Sequence, residues 1–190
     1  MRYTLKSSLV LIAIVATGFW VVEAQTRQWR EKRRIRHEIA SFGGSLVSFD
    51  DANNVTWISI RDRLLGPGIA RFDKLDHLDC AHSNITNDDL CYLDGLPVVM
   101  ALHLNDTRIS DAGLSHLSRI GAITMLRLNR TSVSDEGMDA LAATNITKGV
   151  DLSETDVTVK GVEYLQSKRP DIWIVQREIG IWGDDKSAEP

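Results

Sequence analysis

The sequence predicts an α/β solenoid: a right-handed coil with parallel strands on its concave face, short helices on its convex face, and an apolar helix ahead of it. Three observations predict it. The first is a fixed internal step: Leu78, Leu102, Leu126, Val150 and Ile174 lie 24 residues apart, and Leu104, Leu128 and Leu152 keep the same interval. The second is the content of each step, in which apolar residues at alternate positions give way to a Ser or Thr and then an apolar pair three residues apart. The third is an uncharged run over residues 7–22, SSLVLIAIVATGFWVV.

That run opens the chain and follows Arg2 and Lys6. Sixteen helical residues span only about 24 Å at roughly 1.5 Å each, short of the roughly 30 Å hydrocarbon layer. Counting from Tyr3, with Lys6 snorkelling, closes the gap, so residues 3–22 are expected to hold the chain in a membrane as a single-pass transmembrane helix. A signal peptide cleaved after Ala24 is the rival reading, because small residues stand at Val22 and Ala24. The length of the run and the basic block behind it favour the anchor. Residues 1–36 carry eight Lys or Arg against two acids, a balance of +6, and the remainder carries fourteen against twenty-four, a balance of −10. Such a basic head on an acidic body argues against whole-protein nucleic-acid binding and for a membrane-proximal end. The block at residues 27–36 places the repeats on the cytoplasmic side. It reads either as a solvated linker helix or, with Trp29, Ile35 and Ile39 on one side, as an amphipathic helix on anionic headgroups.

Gly43-Gly44 ends this helix, residues 46–49 read as a short strand, and residues 50–54 as a turn. Residues 56–65 read as a helix, because Trp57, Arg61 and Leu64 share a helical face. Trp57, Leu64 and Phe72 are expected to cover the open end of the repeat core, since terminal units are atypical lids.

The repeats themselves occupy residues 75–176. Alternating Leu102 and Leu104 read as a half-buried strand. The strand returns in the same direction one step later, so neighbours are parallel and need a crossover of a dozen or more residues. Ser110, Ser134, Thr158 and Thr86 stand where a helix N-cap belongs, and Leu114 and Leu117 fall on one face of the helix that follows. Gly113, Gly137 and Gly161 share a column; Asp89 takes their place in the first unit, Cys80 stands in a leucine column, and Lys168 replaces the apolar residue held by Leu96 and Ile120. Residues 99–117, VMALHLNDTRISDAGLSHL, fit L-x-x-L-x-L-x-x-T-x-I-S-D-x-G-L-x-x-L, which resembles the leucine-rich repeat, in a bacterial variety with Thr where many repeats carry Asn. The resemblance implies a binding surface on the concave face, and single-pass anchors precede the repeats in the bacterial proteins it resembles. Ile172, Trp173 and Ile174 are expected in a last strand, with Trp182 folding back on it. The chain therefore divides into an anchor or signal peptide (1–25), a basic juxtamembrane helix (26–41), an N-terminal cap (42–74), the repeats (75–176) and a C-terminal cap and tail (177–190).

Read by column, the strand face offers Asp79, His103, Arg127 and Asp151, and three residues further on His82, Asp106, Arg130 and Glu154. Strands about 4.8 Å apart let these neighbours interact. One reading is a charge ladder that keeps the sheet soluble; the other is a mixed-charge docking surface, and both can hold. A metal site from His77, Asp79, His82 and His103 lacks any recognised ligand spacing. No nucleophile elbow, zinc-protease helix or phosphate-binding glycine loop occurs. In the repeat register Cys80 points inward and Cys91 outward, so they are not expected to pair. The expectation is a membrane-tethered, non-enzymatic protein that binds an unidentified protein partner through the concave face, with no cofactor, metal or nucleic acid. Its alternative is an envelope-organising protein whose repeats are a spacer or a self-association surface.

Overall fold

A computed structural model describes residues 5–41, 44–50, 55–60, 69, 72 and 75–177. The chain divides into two compact units, residues 1–38 and 39–190.

Helix α1 runs without interruption from Leu5 to Ser41, so the apolar run and the basic block share one helix. Among the described residues no helix is long and apolar enough to cross a membrane. The expected transmembrane helix therefore has no support from the structure, although residues 5–16 and 18, which carry most of the run, have side chains outside the described set. Ile39 is fully buried, which removes it from any lipid-facing stripe with Trp29.

Among the described residues seven strands form one sheet in chain order: β1 (Gly44–Phe49), β2 (Val55–Ile60), β3 (Leu75–Asp79), β4 (Val99–His103), β5 (Ile123–Arg127), β6 (Ile146–Asp151) and β7 (Trp173–Val175). β1 pairs antiparallel with β2, and every later pair is parallel. The register puts Ile58, Leu78, Leu102, Leu126, Val150 and Ile174 side by side. Behind the sheet lie a 3₁₀ segment (Asp88–Leu93), α2 (Asp111–Leu117), a 3₁₀ turn (Asp135–Gly137) leading into α3 (Met138–Ala142), and α4 (Val159–Lys168). Leu90, Leu93, Leu114, Leu117, Met138, Leu141 and Leu165 are fully buried against the strands' Leu78, Leu102 and Leu126, so the core is one continuous layer between sheet and helices. This is a solenoid-like α/β arrangement, in which each unit buries its leucines only against its neighbours.

The helix expected over residues 56–65 is a strand as far as Ile60. Val55, Ile58 and Ile60 are buried, and β-branched residues in V-T-W-I-S-I suit a pleated surface between two partners. Of the expected cover, Trp57 and Phe72 are half-buried, while Leu64 and Trp182 lie outside the described residues.

Some polar positions of the repeat close the turn within a unit, and others bind neighbouring units together. Thr107, Thr131 and Thr155 donate their hydroxyls to the carbonyls of Leu104, Leu128 and Leu152 at 2.5–2.6 Å, and Ser83 does the same to Cys80. The expected N-cap side chains act differently from a simple cap. Only Ser134 accepts from its own helix, from the Glu136 N–H at 3.2 Å; Ser110 and Thr158 make no such bond. Instead, Asp111 in one unit accepts the Ser134 N–H (2.8 Å) and hydroxyl (2.7 Å) in the next. Asp135 does the same for Thr158 (2.8 and 2.6 Å), and Asn87 holds Ser110 by its N–H (2.9 Å) and hydroxyl (2.8 Å). A side chain at Gly137 would run into Asp111, and one at Gly161 into Asp135. The glycine column is thus the space into which the preceding unit's carboxylate fits. In the first unit Asp89 fills that space from within, accepting the Thr86 N–H (2.8 Å) and hydroxyl (2.7 Å).

Candidate functional site

The outward face of the sheet presents three columns. The first along the strands was not singled out by its chemistry in the sequence: Trp57, His77, Ala101, Met125, Gly149 and Trp173 stand in one register. Trp57 stacks on His77 with ring centroids 4.9 Å apart and 22° between planes. His77 meets His103 edge-on at 6.5 Å. At the other end, the Trp173 ring lies over Gly149, where an added Cβ would meet it at 2.7 Å, and remains 52% exposed. The column is therefore an uncharged strip with an indole at each end, in which His77 and Met125 are half-buried and Ala101 and Gly149 buried. The signal that could have found it is the 24-residue register itself, since Ala101, Met125 and Gly149 carry no charge.

Beside it runs the column Ser59, Asp79, His103, Arg127, Asp151 and Val175. Asp79 and Asp151 each use one oxygen on their own turn, accepting the N–H of Ala81 (3.1 Å) and of Ser153 (3.0 Å). His103 Nδ1 lies 4.0 Å from Asp79. Burial holds the His103 imidazole below its ordinary pKa; Arg127 and His77 push the same way and Asp79 opposes them. His103 is thus a neutral ring at pH 7. Arg127 is exposed and, among the described residues, makes no ion pair or hydrogen bond with its side chain.

The third column is His82, Asp106, Arg130 and Glu154, and all four adopt left-handed backbone with φ of 54–57°. The conformation costs a non-glycine residue roughly 1–2 kcal/mol. Its physical cause is the next coil: each of these residues turns its N–H onto a carbonyl one unit on, at Asn105, Asn129, Ser153 and Arg177, all at 3.0 Å. The side chains form a ribbon of alternating sign. His82 Nδ1 lies 3.5 Å from Asp106, Arg130 Nη1 lies 3.7 Å from the other oxygen of Asp106, and Arg130 meets Glu154 through two bonds of 2.7 and 3.1 Å. The Glu154 hydrogen bond raises the pKa of Arg130. The structure thus brings Asp106, Arg130 and Glu154 together, sets His82 loosely beside them, and leaves Arg127 open.

Two other groups bear on chemistry. Cys80 is fully buried, and burial pushes its thiol far above the ordinary range, so it behaves as a small apolar side chain; Cys91 is exposed and both are free. Among the described residues no group of three or more His, Cys, Asp or Glu is placed to hold a metal ion.

No protein-family model matches the chain, and no curated protein matches it. Solved structures give 22 matching chains. One, titled "Crystal structure of PEPR1-AtPEP1", shares 16% sequence identity over 72% of this chain with a TM-score of 0.39. The match covers 23% of that chain, so this chain spans less than a quarter of its length.

Proposed function

We propose that this chain is a leucine-rich repeat protein that binds another protein through its strand face and catalyses no reaction. One observation carries the reading: the indole-ended, uncharged strip from Trp57 to Trp173 lies beside a mixed-charge column whose Arg127 is exposed and, among the described residues, unpaired. An uncharged strip with a charged margin suits a protein interface, and exposed Trp and Arg, here Trp173 and Arg127, are the residues that most often anchor one. The eight polar residues Asp79, His82, His103, Asp106, Arg127, Arg130, Asp151 and Glu154 then set orientation and partner choice at the margin. Residues 3–22 tether the domain to a membrane, with the repeats on the cytoplasmic side.

Affinity capture from detergent-solubilised membranes tests the binding role. The wild-type chain and the variant His103→Ala/Arg127→Ala/Arg130→Ala, both checked for unchanged melting, are expected to give different partner sets. Identical sets remove the strand face from the proposal. Protease treatment of intact and of permeabilised cells tests the compartment. Digestion of the repeats only after permeabilisation is expected.

A further inference from the structure

The basic half of α1 has a feature that the charge count alone does not show. Arg30, Arg33, Arg34 and His37 stand at spacings of three, one and three, which puts them within an arc of roughly 100° on the helix, and with Glu38 they line one shallow groove. All four are exposed, and among the described residues none makes an ion pair or hydrogen bond with its side chain. Lys32 and Arg36, on the far side of the helix, do have partners. The basic side chains left without partners are therefore sorted onto one face, with neighbours about 5–6 Å apart. Further toward the N-terminus the same helix exposes Phe19, Trp20, Val21 and Val22 in succession.

We propose that this arginine stripe binds the anionic headgroups of a phospholipid bilayer, so that α1 is seated on the membrane by its charged face and not only by its apolar run. The proposal deepens the tethering role given above to residues 3–22 and rests on it. With α1 lying along a bilayer surface, Phe19 and Val22, which fall on the stripe's side of the uninterrupted helix, meet the apolar layer, and the guanidinium groups meet a lateral row of phosphates. A nucleic acid would meet the phosphate requirement but offers nothing to four consecutive exposed apolar side chains.

The test uses the full chain, reconstituted by detergent removal into vesicles of phosphatidylcholine alone or of phosphatidylcholine mixed with phosphatidylserine. Trypsin cleavage after Arg30, Arg33 and Arg34 is timed relative to cleavage after Lys168 in the same sample, with sites assigned by mass. Cleavage at the stripe is expected to be about tenfold slower or more on the anionic vesicles, given the attraction of each basic side chain to such a surface. High salt should erase the difference, and in Arg33→Glu/Arg34→Glu cleavage after Arg30 should be equally fast on both vesicles. Equal rates for the wild type on both vesicles overturn the stripe; the tether survives that result if the chain still floats with both. A chain that floats with neither overturns stripe and tether together. Protection of the same bonds by a labelled DNA duplex, with no effect of vesicle charge, overturns the proposal in favour of a nucleic-acid partner.

Discussion

Asp111 shows how one side chain sets the identity of another a full coil away. Its carboxylate holds the N–H and hydroxyl of Ser134 while occupying the space that Gly137 leaves empty. Asp111→Ala removes both bonds and is expected to cost about 1–2 kcal/mol. Gly137→Ala drives a methyl group into that carboxylate and is expected to cost a further 1–3 kcal/mol, roughly the range for overpacking. The two should not add, because the methyl group has room once the carboxylate is gone; the double variant should be at least about 1 kcal/mol more stable than the sum predicts. Urea unfolding of the four chains measures this, and strict additivity would mean the glycine column has another cause. His103 supports a prediction of different sign. Its folded pKa lies below the ordinary value of 6.5, so as pH falls the unfolded chain takes up the proton first. Its contribution to stability is complete above about pH 6.5 and declines as pH falls toward the folded value. The loss of urea midpoint between about pH 7.5 and about pH 5 should therefore be smaller in His103→Gln than in the wild type.

The turn after each strand is where local preference and stacking disagree. Asp106 suits left-handed backbone, but His82, Arg130 and Glu154 gain nothing from it locally and are held by the inter-unit bonds of their N–H groups. His82→Asn keeps that bond, fits the conformation better and sacrifices only a 3.5 Å contact from a mostly exposed ring. It is expected to raise stability by about 0.5 kcal/mol in urea titration, whereas Arg130→Asn should not, because it also loses the paired bonds to Glu154. The same contrast separates what could be read in the sequence from what could not. Leu78, Leu102, Leu126 and Val150 announce their strands because a core leucine has to recur at the step of the coil. β2 was hidden because Trp57 pairs with His77 only 20 residues away, outside the 24-residue step, and because Trp57, Arg61 and Leu64 imitate a helical face. The charged columns were legible for the same reason as the leucines. The strip beside them was not, since Ala101, Met125 and Gly149 matter by position and size rather than by chemistry.

At the scale of the molecule, stability is shared between neighbours and the fold has no single centre. Leu126 is fully buried in β5, with β4 and β6 on either side, whereas Ile174 in β7 is only half-buried and, among the described residues, has β6 as its one partner in the sheet. Leu126→Ala opens a cavity flanked on both sides and is expected to cost about 3–5 kcal/mol, while Ile174→Ala should cost roughly half as much. The distribution of the loss is more telling than its size. In a stack coupled only through adjacent units, weakening β5 severs the support that β3 and β4 draw from β6, and the reverse. Amide hydrogen exchange in Leu126→Ala should therefore quicken together across β3, β4, β5 and β6, while in Ile174→Ala the increase should fade from β7 to β6 and leave β3 unchanged. Uniform acceleration in both variants would mean that the sheet opens as one cooperative block. Confinement to β5 in Leu126→Ala would mean that the units are independent. The clamps made by Asn87, Asp111 and Asp135 argue against independence, since each ties the start of one unit's second half to the end of the next unit's first, and a unit that opens must release its neighbour's polar contacts along with its own leucines.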